Sequence, residues 1–357
     1  MATAPARRSH RGGIRSGETV SGWILSAPVL VALTLFLVFP ILMTVWVSVS
    51  DYNGHGSPLS GNFNFVGGAN YAAITSGGGL QEKLFGWSLR NTLWYVVLVV
   101  PTVTALSLLL AVLVNGKMLR ARGFFRTAFY FPSVTSAVAI TALWLFLFSG
   151  TGAVNKLLSW IGLHGPTWFN DPQGIITALL SVLGVKEGPP ALVDHGFLGV
   201  SWWNWIGGPS WAMTALMLQA IFCTSGTFML IFIAGLQNLP PEVEEAAVVD
   251  GATAWQRFWY VTLPQLKPTL FTVVTLGLIG AWQMFDQVFT SVKGAPGNTT
   301  YTLAYRAYST SMIDGNWGQG SAVAFILFAI IIAFTILQRF WLRDKPDRPR
   351  RLKAAKG

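Results

Sequence analysis

Charged side chains are scarce in this sequence, and so are the residues that bind metals or act as nucleophiles. Only 11% of the 357 residues are charged, and the chain has four histidines and a single cysteine, Cys223. A lone cysteine excludes an intrachain disulfide and a thiolate metal site within one chain. No His-Glu metal motif, nucleophile elbow or pair of catalytic carboxylates occurs, so we expect neither a metal site nor a membrane enzyme.

Hydrophobic residues dominate instead, at 52% of the chain, and the mean hydropathy is +0.52. This composition is too apolar for an ordinary soluble domain. Six stretches are long enough to cross about 30 Å of hydrocarbon, which takes roughly 20 apolar residues each. They lie at about 23–49, 92–114, 128–148, 211–236, 269–292 and 321–342. We therefore predict an all-α polytopic membrane protein whose transmembrane domain spans residues 23–342.

The positive charges lie beside these stretches, and in a six-span chain 18 of the 24 basic residues fall on one side. They comprise Arg7, Arg8, Arg11, Arg15, Lys117, Arg120, Arg122, Arg126, Arg257, Lys267, Arg339, Arg343, Lys345, Arg348, Arg350, Arg351, Lys353 and Lys356. The positive-inside rule then predicts a cytoplasmic N-terminus (1–22) and a cytoplasmic tail (343–357). This placement beside the spans explains the formal net charge of +10 without nucleic acid.

Two loops rich in glycine, proline and aromatic residues, at about 50–90 and 149–210, are predicted on the outer side. Within the second, the apolar run from Ile175 to Val185 is too short to span and is expected to stay external. Trp202, Trp203 and Trp205 precede the fourth span, where indoles favour the headgroup level.

The segment 237–268 is a charged, proline-punctuated loop between the fourth and fifth spans. Pro240-Pro241 can begin a helix, and the glutamates that follow complement its positive end. We predict that this helix runs to about Val249 and stops at Asp250-Gly251, because glycine adopts positive φ freely. Capping-box spacing from Thr253 then predicts a second short helix that ends near Leu263-Pro264.

The order Glu245-Ala246-Ala247, Asp250-Gly251-Ala252, Phe258, Leu263-Pro264 and Pro268 resembles the EAA loop of permease subunits in binding-protein-dependent ABC importers. The rest of the chain is most similar to the carbohydrate-type permeases of the maltose and glycerol-3-phosphate group. The resemblance implies a cytoplasmic loop whose helix couples the spans to an ATPase. The residues that would inherit this role are Glu244, Glu245, Ala246, Ala247, Asp250, Gly251, Ala252, Leu263 and Pro264.

The resemblance also implies partners. These are a second related permease, two copies of a cytoplasmic ABC ATPase and an extracytoplasmic solute-binding protein, with membrane lipid around the spans and a sugar as substrate. The expected location is the bacterial cytoplasmic (inner) membrane. The chain has no Gly-x-x-x-x-Gly-Lys-Ser/Thr run, so ATP and Mg would be bound by the ATPase partners, and we expect no cofactor in this chain and no enzymatic activity of its own.

Asp286 is the only ionisable residue well inside a predicted span. Acids at that depth face a cavity or a partner, and Trp282, Gln283 and Phe285 nearby would suit a midplane sugar site. The alternative is that Asp286 satisfies a polar group between helices. Because the spans offer no arginine for a phosphate, a neutral di- or oligosaccharide is favoured over glycerol-3-phosphate or another polyol. An ion-coupled secondary carrier is a further alternative, although it normally needs more intramembrane titratable groups.

Overall fold

The computed structural model describes residues 16–58, 63–116, 121–185 and 187–342. Most of the predicted basic N-terminus and the whole predicted tail lie outside the described residues. So do Lys117, Arg120 and Lys186.

The first span is a helical run whose first part packs against no other described part of its own chain, whereas its last ten residues contact the helix Trp317–Leu342. Helix α1 (Ser16–Leu33) continues through a π-helical turn (Thr34–Val38) into α2 (Phe39–Ser48). None of its most apolar window is buried against the rest of the chain. Its outer end is fixed, because the buried Asn70 at the start of α3 (Ala69–Thr75) donates to the carbonyl oxygens of Ser48 and Ser50, at 3.0 and 2.8 Å. The body of this span therefore presents its side chains to lipid or to another chain.

The second span is much longer than predicted. Helix α4 (Leu80–Asn115) has 36 residues, whereas hydropathy predicted a start near residue 92. At 1.5 Å per residue it is about 54 Å long, well beyond the hydrocarbon thickness. The additional turns at the start of α4 contain charged residues, including Glu82, Lys83 and Arg90. These charges lower the mean hydropathy of the segment, so hydropathy alone did not include it in the span.

The third span is not the single helix predicted at 128–148. Helices α5 (Arg122–Val134) and α6 (Ala137–Leu147) meet at an angle of 96°. Thr135 and Ser136 between them have extended backbone, with ψ of 146° and 131°. Pro132 lacks an amide hydrogen, which weakens the helix just before this break. Helix α6 then contacts the next span through the buried Gln219, whose amide donates to Thr141 Oγ1 at 2.8 Å.

The segment between the third and fourth spans, which was predicted to be external, is folded. It contains α7 (Ala153–Trp160), a 3-10 turn (Trp168–Asn170), α8 (Ile175–Val182), α9 (Pro190–Val193), β1 (Gly196–Phe197), β2 (Val200–Ser201) and α10 (Trp202–Ile206). The two strands pair antiparallel, with Phe197 opposite Val200. Leu198 and Gly199 both have positive φ, as expected for a two-residue hairpin turn.

The second half of the chain contains the fourth span, the loop and two further apolar helices. The elements are α11 (Trp211–Gln237), α12 (Pro241–Val249), α13 (Ala254–Arg257), a π-helical turn (Phe258–Thr262), α14 (Leu263–Gln265), α15 (Lys267–Trp282), α16 (Asp286–Thr290), α17 (Leu303–Tyr308), a second π-helical turn (Ser309–Ile313) and α18 (Trp317–Leu342). The prediction of one helix over 269–292 is wrong, because α15 ends at Trp282 and three residues separate it from α16.

The core lies where α4, α11 and α15 pack together. Val103, Leu216, Phe232 and Val273 from these helices are all 2% exposed or less. Polar side chains bridge the helices as well: Ser107 Oγ donates to the carbonyl oxygen of Ser225 at 3.0 Å. Hydrogen bonds of this kind join helices where no water is present to compete.

By length and composition, the described residues contain four helices able to cross a membrane, and a fifth span if α5 and α6 count as one. Helix α15 has 16 residues, fewer than the roughly 20 that a straight crossing requires. The protein is a membrane-embedded helical bundle, and its sixth span and the side on which its termini lie stay predictions.

Candidate functional site

The loop after the fourth span begins with a helix, as predicted. Pro240 is extended (φ −61°, ψ 121°) and Pro241 occupies the first turn of α12. The missing amide hydrogen of proline costs nothing there, since no helical carbonyl would accept from it. Glu242 and Glu244 also lie in the first turn, where their charge complements the helix dipole.

Helix α12 ends in a tight, hydrogen-bonded corner. Gly251 has φ +76°, and its amide donates to the carbonyl oxygen of Val248 at 3.0 Å. The amide of Ala252 reaches back to the carbonyl oxygen of Ala247, also at 3.0 Å. This pair of bonds is a Schellman motif, which satisfies the last carbonyls of a helix and needs a left-handed residue at its centre.

The next helix begins immediately after this corner. Thr253 Oγ1 accepts from the amide of Gln256, and the side chain of Gln256 accepts from the amide of Thr253 at 2.9 Å. This reciprocal capping box, predicted from the spacing, fixes the start of α13. A Schellman end followed at once by a capped start leaves the turn between α12 and α13 with few alternative conformations.

Most side chains of the corner face outward. Glu244, Glu245, Ala246, Asp250 and Gly251 are exposed, whereas Ala247 and Ala252 are half-buried. The two glutamates border a groove of about 370 Å³ whose other wall includes Arg257. Leu263 and Pro264 lie further along the chain in α14, just before α15.

Three large apolar side chains on the same loop are exposed to a degree that sequence reasoning did not anticipate. Val249 is 86% exposed, Trp255 71% and Tyr260 79%. Aromatic and apolar side chains of this kind are enriched at the centres of protein interfaces. We refer to the exposed residues of α12, its corner and these three side chains as the coupling surface. The signal that could have found them is the presence of large apolar residues in an otherwise polar loop.

A second candidate site is a cavity of about 280 Å³ between α4, α11 and the end of α15. The residues that follow Trp282, where α15 ends, contribute polar side chains to this cavity. The polar and aromatic residues of its wall are Tyr95, Thr224, Phe228, Gln283, Phe285, Asp286 and Gln287. Tyr95 and Gln287, which sequence reasoning missed, are linked by a hydrogen bond of 3.4 Å from the phenol to Gln287 Oε1.

The four residues predicted to bind sugar are not all in this cavity. Gln283, Phe285 and Asp286 line it, and both polar side chains are exposed to it. Trp282 is 1% exposed and packs on Phe334, with ring centroids 5.1 Å apart. Helix α15 ends at Trp282, so the residues that follow leave the helical path and turn towards the cavity while Trp282 stays in the core.

Aromatic rings continue from the cavity wall along α16 and α17. Phe285 stacks on Phe289 with centroids 5.3 Å apart and an interplanar angle of 17°. Tyr308 contacts both rings edge-on at 5.3 Å, and Tyr305 lies 6.2 Å from Phe285. The cavity wall thus combines hydrogen-bonding groups with aromatic rings, and further rings extend from Phe285, a combination that suits a polyhydroxylated ring.

A membrane helix bundle that contains a cavity with polar and aromatic walls suits a transport subunit. The family profile described as "Binding-protein-dependent transport system inner membrane component" matches residues 92–344. The chain belongs to this family.

Several of its relatives are sugar transport permeases. It is 29% identical to the lactose transport system permease protein LacF of Rhizobium radiobacter over 94% of this chain and 98% of that one. It is 27% identical to the trehalose/maltose transport system permease protein MalF of Thermococcus litoralis over 90% and 92%. A chain of a bacterial ABC transporter that imports alginate, solved with a pentasaccharide-bound periplasmic protein, has the same fold (TM-score 0.67, 18% identity, 93% of this chain and 98% of that chain).

Proposed function

We propose that this chain is the transmembrane permease subunit of an ATP-driven importer of a neutral di- or oligosaccharide in a bacterial inner membrane. It would form half of the translocation pathway with a second permease. Two cytoplasmic ATPase subunits would drive it, and an extracytoplasmic solute-binding protein would deliver the sugar. The observation that carries the proposal is the coupling surface, because a capped helical corner with exposed acidic and apolar groups occurs in a chain of this transport family.

The role of the coupling surface is mechanical. Helix α12 joins α11 on one side and, through its corner, α13 to α15 on the other. A force applied to α12 by a moving ATPase is therefore delivered to two helices that line the central cavity. Because the corner is hydrogen-bonded at both helix ends, little of the movement would be lost in the loop itself.

The central cavity would form part of the sugar site. Its volume of about 280 Å³ lies at the lower end of the roughly 300–1,000 Å³ usual for ligand pockets, as expected for half of a site shared with a second permease. Asp286 and Gln283 would accept and donate hydrogen bonds to hydroxyl groups, while Phe285 would contact a sugar face. We do not assign a ligand contact to Trp282, which is in the core.

The coupling role is tested by charge reversal at the surface. In the purified complex with its binding protein and sugar, Glu245→Lys should abolish sugar-stimulated ATP hydrolysis and uptake, because an exposed acidic contact becomes repulsive. Asp194→Lys, which reverses an equally exposed carboxylate of the external segment, is the control for production and folding. Retained transport in Glu245→Lys, with the complex intact, would refute the assignment.

The substrate class is tested with the same complex. A panel of neutral di- and oligosaccharides should contain a compound that stimulates ATP hydrolysis, whereas glycerol-3-phosphate should not. In Asp286→Asn, maximal uptake should fall by about tenfold or more, since hydrogen bonds to a charged group contribute about 1.5–3 kcal/mol. Stimulated ATPase should persist there because the coupling surface is unaltered. Stimulation by glycerol-3-phosphate alone, or uptake without any ATPase, would overturn the proposal.

A further inference from the structure

The external insertion between the third and fourth spans is closed at its base by backbone hydrogen bonds. The amides of Ile175 and Ile176 donate to the carbonyl oxygens of Pro209 and Gly207, at 2.9 and 3.1 Å, and the amide of Trp211 donates to that of Gln173 at 3.3 Å. The first residues of α8 are therefore held beside the first residue of α11. Because α11 has the length and composition of a membrane span, the start of α8 lies near the membrane boundary at that end of α11.

The insertion is also fixed to the outer turns of α4. Arg90 is 3% exposed, and its guanidinium donates to the carbonyl oxygens of Asn204 and Gly208. Trp94 Nε1 donates to the carbonyl oxygen of Trp205 at 2.9 Å. Arg90 lies in the part of α4 that hydropathy did not predict, and Trp94 lies near the predicted start of the span. Together these contacts fix the position of the insertion on the bundle.

One face of α8 has no partner in the described part of the chain. Leu179, Val182 and Leu183 are 64%, 83% and 73% exposed, and their spacing places them on one side of the helix. The sequence from Pro172 to Val185 contains no charged residue. An aliphatic face without charges or aromatic rings differs from a typical protein interface, whose core is rich in Tyr, Trp and Arg and whose rim is polar.

The length of α8 keeps this face near the membrane. Eight residues at 1.5 Å each span about 12 Å. The headgroup region adds only about 5–8 Å on each side of the hydrocarbon. A helix that starts at the hydrocarbon boundary and runs 12 Å thus stays within or close to the interface, where an apolar helix face is stabilised by burial among acyl chains.

We propose that α8 is an interfacial anchor, with Leu179, Val182 and Leu183 embedded in the outer leaflet of the lipid bilayer. The partner is the acyl region of the lipid, and no particular headgroup is required. The anchor would resist changes in the depth of the outer ends of α4 and α11, to which the insertion is bonded. This inference concerns the membrane and does not depend on the identity of the transported sugar.

Spin labels on a cysteine-free background test the depth of this face. Because Cys223 is the only cysteine of this chain, Cys223→Ala provides that background in the full-length chain, and any cysteines of the copurifying subunits are replaced by serine. A label is attached in Val182→Cys, and a matched control label in Asp194→Cys, an exposed polar position of the same insertion. The complexes are placed in bilayers of phosphatidylethanolamine and phosphatidylglycerol. The accessibility of each label to oxygen and to a water-soluble nickel chelate is then measured by power saturation.

The oxygen-to-nickel accessibility ratio at position 182 should exceed that at position 194 severalfold. Leu183→Cys reports on the same face and should agree, which protects the test if one variant is poorly produced. Equal nickel accessibility at positions 182 and 194 would overturn the proposal. It would equally be overturned if position 182 were open to nickel in the bilayer and became shielded only when the solute-binding protein is added, because the face would then be a protein-docking surface.

Discussion

Substitution of Gly251 tests whether the corner between α12 and α13 needs a residue with positive φ. A Cβ atom added at this glycine would meet no heavy atom within 4 Å, so Gly251→Ala introduces no steric clash. The residue must nevertheless keep φ near +76° to form the Schellman bonds to α12. An L-residue pays about 1–2 kcal/mol for that region, so the effect of the substitution is backbone strain alone.

The magnitude follows from this strain. A cost of about 1–2 kcal/mol lowers the ratio of molecules with the Schellman hydrogen bonds formed to those with them broken by about 5–30-fold. Asparagine tolerates the left-handed region better than alanine, and a β-branched residue tolerates it worse. We therefore expect the order Gly251, then Gly251→Asn, then Gly251→Ala, then Gly251→Val, from most to least stable.

Hydrogen exchange measures the corner directly. The amide of Ala252, which donates to the carbonyl oxygen of Ala247, should lose protection by about 5–30-fold in Gly251→Ala, because protection reports the free energy of local opening. Sugar-stimulated ATP hydrolysis of the assembled complex should decrease in the same order. Gly123→Ala is the matched control, since this helical glycine also has open space around it but does not require positive φ.

The reasoning would be refuted by unchanged exchange at Ala252 in both the alanine and the valine variant. It would also be refuted if Gly251→Asn were more disruptive than Gly251→Ala, since strain predicts the opposite order.

Three further predictions concern packing, the insertion and pH. In Gly226→Ala, the new Cβ would lie 2.1 Å from the carbonyl oxygen of Phe129, so α5 and α11 must separate, and thermal unfolding in detergent should show about 1–3 kcal/mol of destabilisation. Arg90→Lys should speed proteolysis of the external insertion, because the lysine lacks the fork that reaches two carbonyl oxygens at about 1.5–3 kcal/mol each. The backbone amide and side chain of Asn64 donate to the Asp51 carboxylate and lower its pKa. These hydrogen bonds should therefore be intact above the ordinary aspartate pKa of about 3.9 and be lost as the pH falls through the lower pKa of the folded protein. Hydrogen exchange of the Asn64 amide should follow this loss.

Matched control variants distinguish the effects of the named contacts from general destabilisation of the protein. Gly280→Ala, at a helical glycine with no neighbour within 4 Å, should leave the unfolding temperature nearly unchanged. Lys156→Gln removes an exposed external charge and should not alter proteolysis of the insertion. Asp51→Asn should abolish the pH dependence of the Asn64 amide at acidic pH. Equal effects in the test variants and their controls would show that the named contacts are not the cause.

The coupling loop was predictable from the sequence because its determinants are local. Pro241 starts a helix, Gly251 ends it and Thr253 with Gln256 starts the next, and each acts within four residues along the chain. Hydropathy likewise identified the apolar segments. A run of apolar side chains is visible in the sequence itself, and a helix pairs its backbone groups within that same run. The resemblance of the loop to the EAA motif then indicated the family that the profile match confirms.

The positions of breaks and the directions of side chains depended on contacts between distant residues. Trp282 and Asp286 are four residues apart and were predicted to contribute to one sugar site, yet the helix ends between them, leaving one in the core and the other at the cavity. The outer turns of α4 are helical although polar, because Arg90 is satisfied by carbonyl groups more than a hundred residues away. Local sequence thus determined which segments are apolar and how the loop turns. The assembly of the cavity and the insertion was decided by tertiary packing, in which buried polar groups find partners that no nearby residue supplies.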